Sequence, residues 1–217
     1  LADATVTDAS NANFKITGSL TVTAPNGAEV WIVGATQNIT WTKTGSIATA
    51  RLDYSTDGGV SYPNVITPSV SAAALTFAWT VPDNMSSTVK VKIADNADAT
   101  VADASNANFK IAGSFVLTSP NGAEKWAAGS LQSITWTKTG SIVNAKLEYS
   151  TDGGSTYPNL IVATTPAASL SYAWTLGSAT STQVRVRITD GAEATVFDAS
   201  NANFKIMGGF TLSAPNG

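Results

Sequence analysis

Oxygen donors gather twice in this sequence in a way that could hold a divalent cation. Asp95-Asn-Ala-Asp98 runs closely into Asp103-Ala-Ser-Asn-Ala-Asn108, and Asp190, Glu193 and Asp198 repeat the arrangement further on. Calcium needs roughly six to eight converging oxygens, and loops rich in Asp and Asn near a domain boundary can supply them. The same side chains also close their own turns by accepting backbone N–H groups nearby. Their spacing matches no EF-hand loop. Turn capping is therefore the expectation for Asp95, Asp98, Asp103, Asp190, Glu193 and Asp198, with calcium as the alternative and no other metal or cofactor implied.

Aromatic rings offer a second chemistry, stacking on the pyranose faces of sugars. The chain has six Trp residues. Trp41 shares the parity of Ile39, and Trp79 that of Phe77 and Leu75. These two and their counterparts Trp136 and Trp174 are expected to face inward, each burying on the order of 200 Å². Trp31 and Trp126 follow a turn, and their parity decides less. Tyr62 and Tyr157 each precede a Pro on an expected edge strand. They are the ligand-binding candidates, with surface glycans as the ligand class. An isopeptide cross-link would need a Lys enclosed beside an acid; Lys43 and Lys138 have inward parity but stand at a strand end, where the ammonium can reach water. Asn38-Ile-Thr and Asn84-Met-Ser fit the N-glycosylation pattern, yet neither recurs in the second copy described below.

There is no His and no Cys. That removes the usual general base, the usual zinc ligand and the Ser-His-Asp and Cys-His arrangements together. Asp and Glu alone can serve a glycosidase, but only as a pair of carboxyls facing across a cleft, and nothing in the sequence marks such a pair. No enzyme is expected. With 12 Lys and Arg against 15 Asp and Glu, a net charge of −3 and a pI near 4.8, the chain has no basic face to neutralise phosphates, so nucleic acid is not an expected partner. No run approaches the ~18 apolar residues of a membrane span.

What must position these residues is set by repetition. Asp8-Ala-Ser-Asn-Ala-Asn-Phe-Lys-Ile16 returns unchanged at Asp103–Ile111 and Asp198–Ile206, and Pro25-Asn-Gly27 keeps the same 95-residue beat at Pro120 and Pro215. Residues 1–95 and 96–190 are identical at 57 positions. The division this implies is 1–17, the C-terminal strands of a preceding repeat; 18–112 and 113–207, two complete repeats; and 208–217, the first strand of a following one. Within a repeat, apolar residues alternate with polar ones at Leu20–Thr23, Gln37–Thr42, Arg51–Ser55, Leu75–Trp79 and Val89–Ile93, the period of half-buried strands. Asn13–Ile16 and its copies read as the closing strand. Thr56-Asp-Gly-Gly59 is a turn signal, Pro63 marks the following strand as an edge, and Thr67–Ala73, which matches its counterpart poorly, reads as a solvent loop. No helical period appears. About seven short strands per repeat predict an all-β chain of tandem antiparallel sandwiches.

The succession Pro-Asn-Gly-Ala-Glu-x-Trp, Ile-Thr-Trp, Tyr-Ser-Thr-Asp-Gly-Gly, Trp-Thr, Val-x-Val-x-Ile and Asn-Phe-x-Ile resembles the immunoglobulin-like domain of the Ser-Thr-rich GPI-anchored cell-wall family, and similar repeats of large bacterial surface and secreted proteins. The resemblance implies an immunoglobulin-like sandwich in a cell-envelope or extracellular setting and carries no catalytic residues. The resemblance does not carry the GPI anchor over to these residues. Near-identical units joined by only three residues, between Ile16 and Leu20 and between Ile111 and Phe115, make a structural stalk, fibre or filament the leading expectation, with neighbouring repeats or identical chains as partners. An adhesin or carbohydrate-binding array, in which repetition provides avidity, is the alternative.

Overall fold

Side-chain alternation builds both sandwiches, and the computed structural model describes it over residues 7–209. In chain order the first repeat contributes β1 (Ser19–Ala24), β2 (Val30–Ile32), β3 (Thr36–Thr44), β4 (Thr49–Ser55), β5 (Asn64–Ser71), β6 (Thr76–Thr80), β7 (Ser86–Asp95), β8 (Ala102–Ala104) and β9 (Phe109–Ala112). The second contributes β10 (Ser114–Ser119), β11 (Lys125–Ala127), β12 (Leu131–Thr139), β13 (Asn144–Ser150), β14 (Asn159–Pro166), β15 (Ser171–Thr175), β16 (Ser181–Asp190), β17 (Phe197–Ala199) and β18 (Phe204–Met207). The strands expected from alternation are present. The extra ones, β2 and β8 with their copies, are three residues long, too short to show a period.

One sheet of the first repeat has the order β1-β3-β6, and the other β2-β9-β7-β4-β5 with β8 beside β7; the second repeat copies both. β1–β3, β4–β5, β4–β7 and β7–β8 pair antiparallel, as do their copies, while β2 runs parallel to β9 and β11 to β18. The chain thus leaves the first sheet after β1 and crosses to the second as β2, beside the closing strand. Two small sheets in this order make each repeat an immunoglobulin-like sandwich.

The core follows the parity of the strands. Val89, Val91 and Ile93 of β7 are fully enclosed while Lys90 and Lys92 between them are not. All six Trp are buried, Trp31 and Trp126 included. Trp31 lies edge-on to Trp79 with ring centroids 5.9 Å apart and tilts against Phe109 at 5.0 Å; Trp126 repeats both contacts with Trp174 and Phe204. Trp41 and Trp136 satisfy their indole N–H groups on the carbonyls of Ala72 and Ala167 at 3.0 and 2.9 Å. Spatially, the described chain falls into two compact units that do not coincide with the repeats. Of the described residues, one unit takes 7–27, 38–78 and 88–108, the other 28–37, 79–87 and 109–209.

Three expectations are corrected. Leu75 is not an inward strand residue: a 3₁₀ turn over Ala72–Ala74 precedes it, it adopts a left-handed φ of 58°, and it is 44% exposed, as is Leu170 at 45%. Its carbonyl instead accepts the Trp41 N–H. The stretch from Thr67 to Ala73 is not a free loop, because β5 continues through Ser71 against β4, in the same shifted register that β14 keeps against β13 despite the poor sequence match. Asn13–Ile16 forms no strand; Phe14 is 76% exposed where Phe109 and Phe204 are buried. Most of the strand expected over 208–217, and Leu1–Val6 of the opening segment, lie outside the described residues.

Candidate functional site

The six candidate calcium ligands are placed three each by the crossings from β7 to β9 and from β16 to β18, and they are used separately. Asp95 and Asp190 accept the N–H groups of Ala97 and Ala192, each at 2.9 Å, closing their own turns. Asp98 and Glu193 each accept both the N–H and the hydroxyl of the Thr two residues on. Asp103 and Asp198, on β8 and β17, reach across to the N–H groups of Val22 and Leu117 at 2.8 and 2.7 Å. Among the described residues no three Asp or Glu side chains converge as a metal would require.

Asp98 and Glu193 have a second role. The Lys15 ammonium pairs with Asp98, and Lys110 Nζ lies 2.7 Å from a Glu193 oxygen. The hydrogen bond from the lysine, then that from the threonine hydroxyl, holds each carboxyl down at about 2. Sequence reading separated these lysines from their acids, because the partners are 83 residues apart.

The repeated Asp-Ala-Ser-Asn-Ala-Asn stretch therefore does more than turn. Ser105 and Ser200 are enclosed; each hydroxyl donates to the carbonyl of Pro25 or Pro120 at 2.7 Å and accepts the N–H of Val91 or Val186 at 3.0 Å. Asn26 and Asn121 accept the N–H of Asn106 and Asn201 at 2.6 Å. One short polar run thus ties the Pro-Asn-Gly turn to the strand that closes the sandwich. The two motifs share one period, which was the available signal.

Tyr62 is half-buried in an open recess of about 350 Å³ that it lines with Lys92, Ala102, Asp103 and Ala104. The Lys92 ammonium lies 5.5 Å from the Tyr62 ring centre. Burial first, then the carboxylates of Asp57 and Asp103, raises the Tyr62 phenol above its ordinary range. Tyr157 differs: the Arg187 guanidinium stacks on its ring at 4.4 Å and lies 6.0 Å from that of Phe197. Phe197 stands where the first repeat has Ala102 and is 56% exposed. That substitution was visible in the alignment of the repeats but carried no parity signal.

Beside each tyrosine, the Asp-Gly-Gly loop is held by an acid. Asp57 accepts the hydroxyls of Ser55 and Ser61 at 2.5 and 2.6 Å, and Asp152 does the same with Ser150 and Thr156. These donors, the enclosed serine first, keep both carboxyls far below the usual range. The Lys43 and Lys138 ammonium groups donate to turn carbonyls, Lys43 to Gly45 and Ile47 and Lys138 to Gly140.

No protein-family model and no curated protein matches the chain. Among solved structures it is similar to the fibronectin(III)-like modules of Clostridium thermocellum CbhA, with a TM-score of 0.31, 16% identity, and 87% of this chain and 94% of that one covered. It is also similar to titin domains Z1Z2, solved in complex with telethonin (TM-score 0.28, 13% identity, 91% and 100% covered). The two tandem V-type regions of the chitin-binding protein VCBP3 match with a TM-score of 0.26 and 11% identity over 87% and 99%. At these scores the likenesses add no weight to the fold, which rests on the strand order.

Proposed function

We propose that this chain is a non-catalytic structural segment of an extracellular or cell-surface stalk or filament, built from tandem immunoglobulin-like repeats akin to those of the Ser-Thr-rich cell-wall family. The observation that carries this reading is the joint. Only Gly113 separates β9 from β10, less than the three residues expected from sequence. A Cβ on Gly113 would fall 2.6 Å from the Thr139 carbonyl oxygen, and one on Gly18 would fall 2.5 Å from that of Thr44. A joint this short, and filled on both occasions, suits an element that bears length rather than one that hinges. Antibodies raised against the chain should decorate extended surface structures of the source cells in immunogold images. Labelling confined to the cell interior would overturn the reading.

A second reading, a glycan-binding array, is favoured by the open recess at Tyr62 and by exposed Phe197 beside Tyr157. It is tested by a glycan array probed with the chain. Binding that is lost on Tyr62→Ala and Tyr157→Ala would establish it, whereas an array without signal would leave the structural role standing alone.

A further inference from the structure

The lysine of the closing-strand motif recurs at Lys15, Lys110 and Lys205. The first two are occupied alike. Each pairs with an acid in the following repeat, Asp98 or Glu193, in the turn that leads to β8 or β17. Threonine stands two residues beyond the acid both times. Within the second compact unit, the residues around Lys110 are covered as well: Ala112 is only 4% exposed, and Met85, Ile111, Asp190 and Glu193 line one shallow cleft of about 150 Å³. Ser141 adds a second contact there, donating its N–H and hydroxyl to Asp83.

Among the described residues, the third copy of this face is uncovered. Lys205 is exposed and has no ion-pair partner among the described residues, and Met207, at the position of Ala112, is 42% exposed. The sequence that follows, Phe210-Thr-Leu-Ser-Ala-Pro-Asn-Gly217, matches Phe115–Gly122. We propose that this face, with Lys205 at its centre, is a docking surface for a further copy of the same repeat, whose acid and threonine at the places of Glu193 and Thr195 clasp the lysine.

The inference rests on the tandem-array reading and names the contact that sets its register. An ion pair this open to water contributes little affinity, on the order of a few tenths to 1 kcal/mol. Apolar cover around it supplies the rest, while the charged pair selects which rotation of the incoming repeat is accepted. The second half of the clasp is not preserved, since Ser178 stands where the first repeat has Asp83. Docking at Lys205 therefore depends more on the lysine than docking at Lys110 does.

The test extends the chain by one repeat, continuing from Gly217 with the sequence of residues 123–207, and follows acylation of each lysine by a water-soluble amine reagent with peptide mass spectrometry. Exposed Lys125 serves as the reference. In the 217-residue chain Lys205 should react at least about threefold faster than Lys110, the scale an exposed ion pair confers. In the extended chain Lys205 should slow to the Lys110 rate, and changing the added copy of Glu193 to Gln should restore it. Equal Lys205 rates in the two chains, or equal Lys110 and Lys205 rates in the shorter one, would overturn the proposal. Surface labelling without protection of Lys205 leaves an array joined in another way; protection without surface labelling leaves the joint and removes the proposed cellular role.

Discussion

Ser105 is small, polar and almost fully enclosed, and it holds three chain segments at once. Its hydroxyl donates to Pro25 O and accepts Val91 N–H, so an alanine there strands a carbonyl and an amide away from water. Leaving such groups unpaired costs about 1–3 kcal/mol. Ser105→Ala should therefore lower the free energy of unfolding by that amount, read as a lower urea midpoint with an unchanged slope, and Ser200→Ala should do the same in the second repeat. A midpoint within error of wild type would show that water replaces the hydroxyl. The acids around it make a second expectation. Because Asp95, Asp98 and Asp103 each accept hydrogen bonds from their own chain, addition of a chelator should leave the melting temperature where it was; a fall of several degrees would mean that calcium holds this crossing.

At the scale of the element, the joint glycine decides more than its composition suggests. The Thr139 carbonyl that a Gly113 Cβ would meet is backbone, and the Ile142 side chain closes in at 2.7 Å from another side. Neither can move without shifting β12 or the turn after it. Gly113→Ala is expected to cost about 1–3 kcal/mol, the range for forcing a methyl into filled space. Gly177→Ala, where a Cβ would meet nothing within 4 Å, should stay within about 0.5 kcal/mol. Equal effects at the two positions in chemical denaturation would remove the special standing of the joint. The same elements mark what the sequence made legible. Alternation at Val89–Ile93 and parity at Trp41 and Trp79 located strands and core, because a period of two needs only local residues to declare itself. Leu75 misled because a single left-handed residue after a 3₁₀ turn shifts the phase without leaving a Gly or Pro behind. The lysine clasps and the Ser105 tie were hidden for a different reason. Their partners lie about 80 residues away, and only the sheet order brings them together.

For the whole molecule, the sparse charges are arranged so that acid should undo it in a defined window. Asp98 and Glu193 are held at about 2 by their lysine and threonine donors, and Asp57 and Asp152 lie lower still beside their serine and threonine hydroxyls. An unperturbed carboxyl titrates at about 4. As the pH falls, the unfolded chain takes up protons before the folded one does. The stability these groups contribute is complete above about pH 5, drains away from about pH 4, and is still being lost through pH 2. Over the same interval the 12 Lys and Arg lose the 15 acids that offset them, and mutual repulsion adds to the effect. Melting followed by circular dichroism should therefore be flat from pH 7 to 5 and fall steeply below 4. In the double variant Asp57→Asn, Asp152→Asn the two lowest-titrating carboxyls are gone, so the plateau should be lower and the acid slope shallower. Curves for variant and wild type that run parallel from pH 5 to 2 would show that the loop acids titrate without linkage to folding, and would leave repulsion among the cations as the force that opens the molecule.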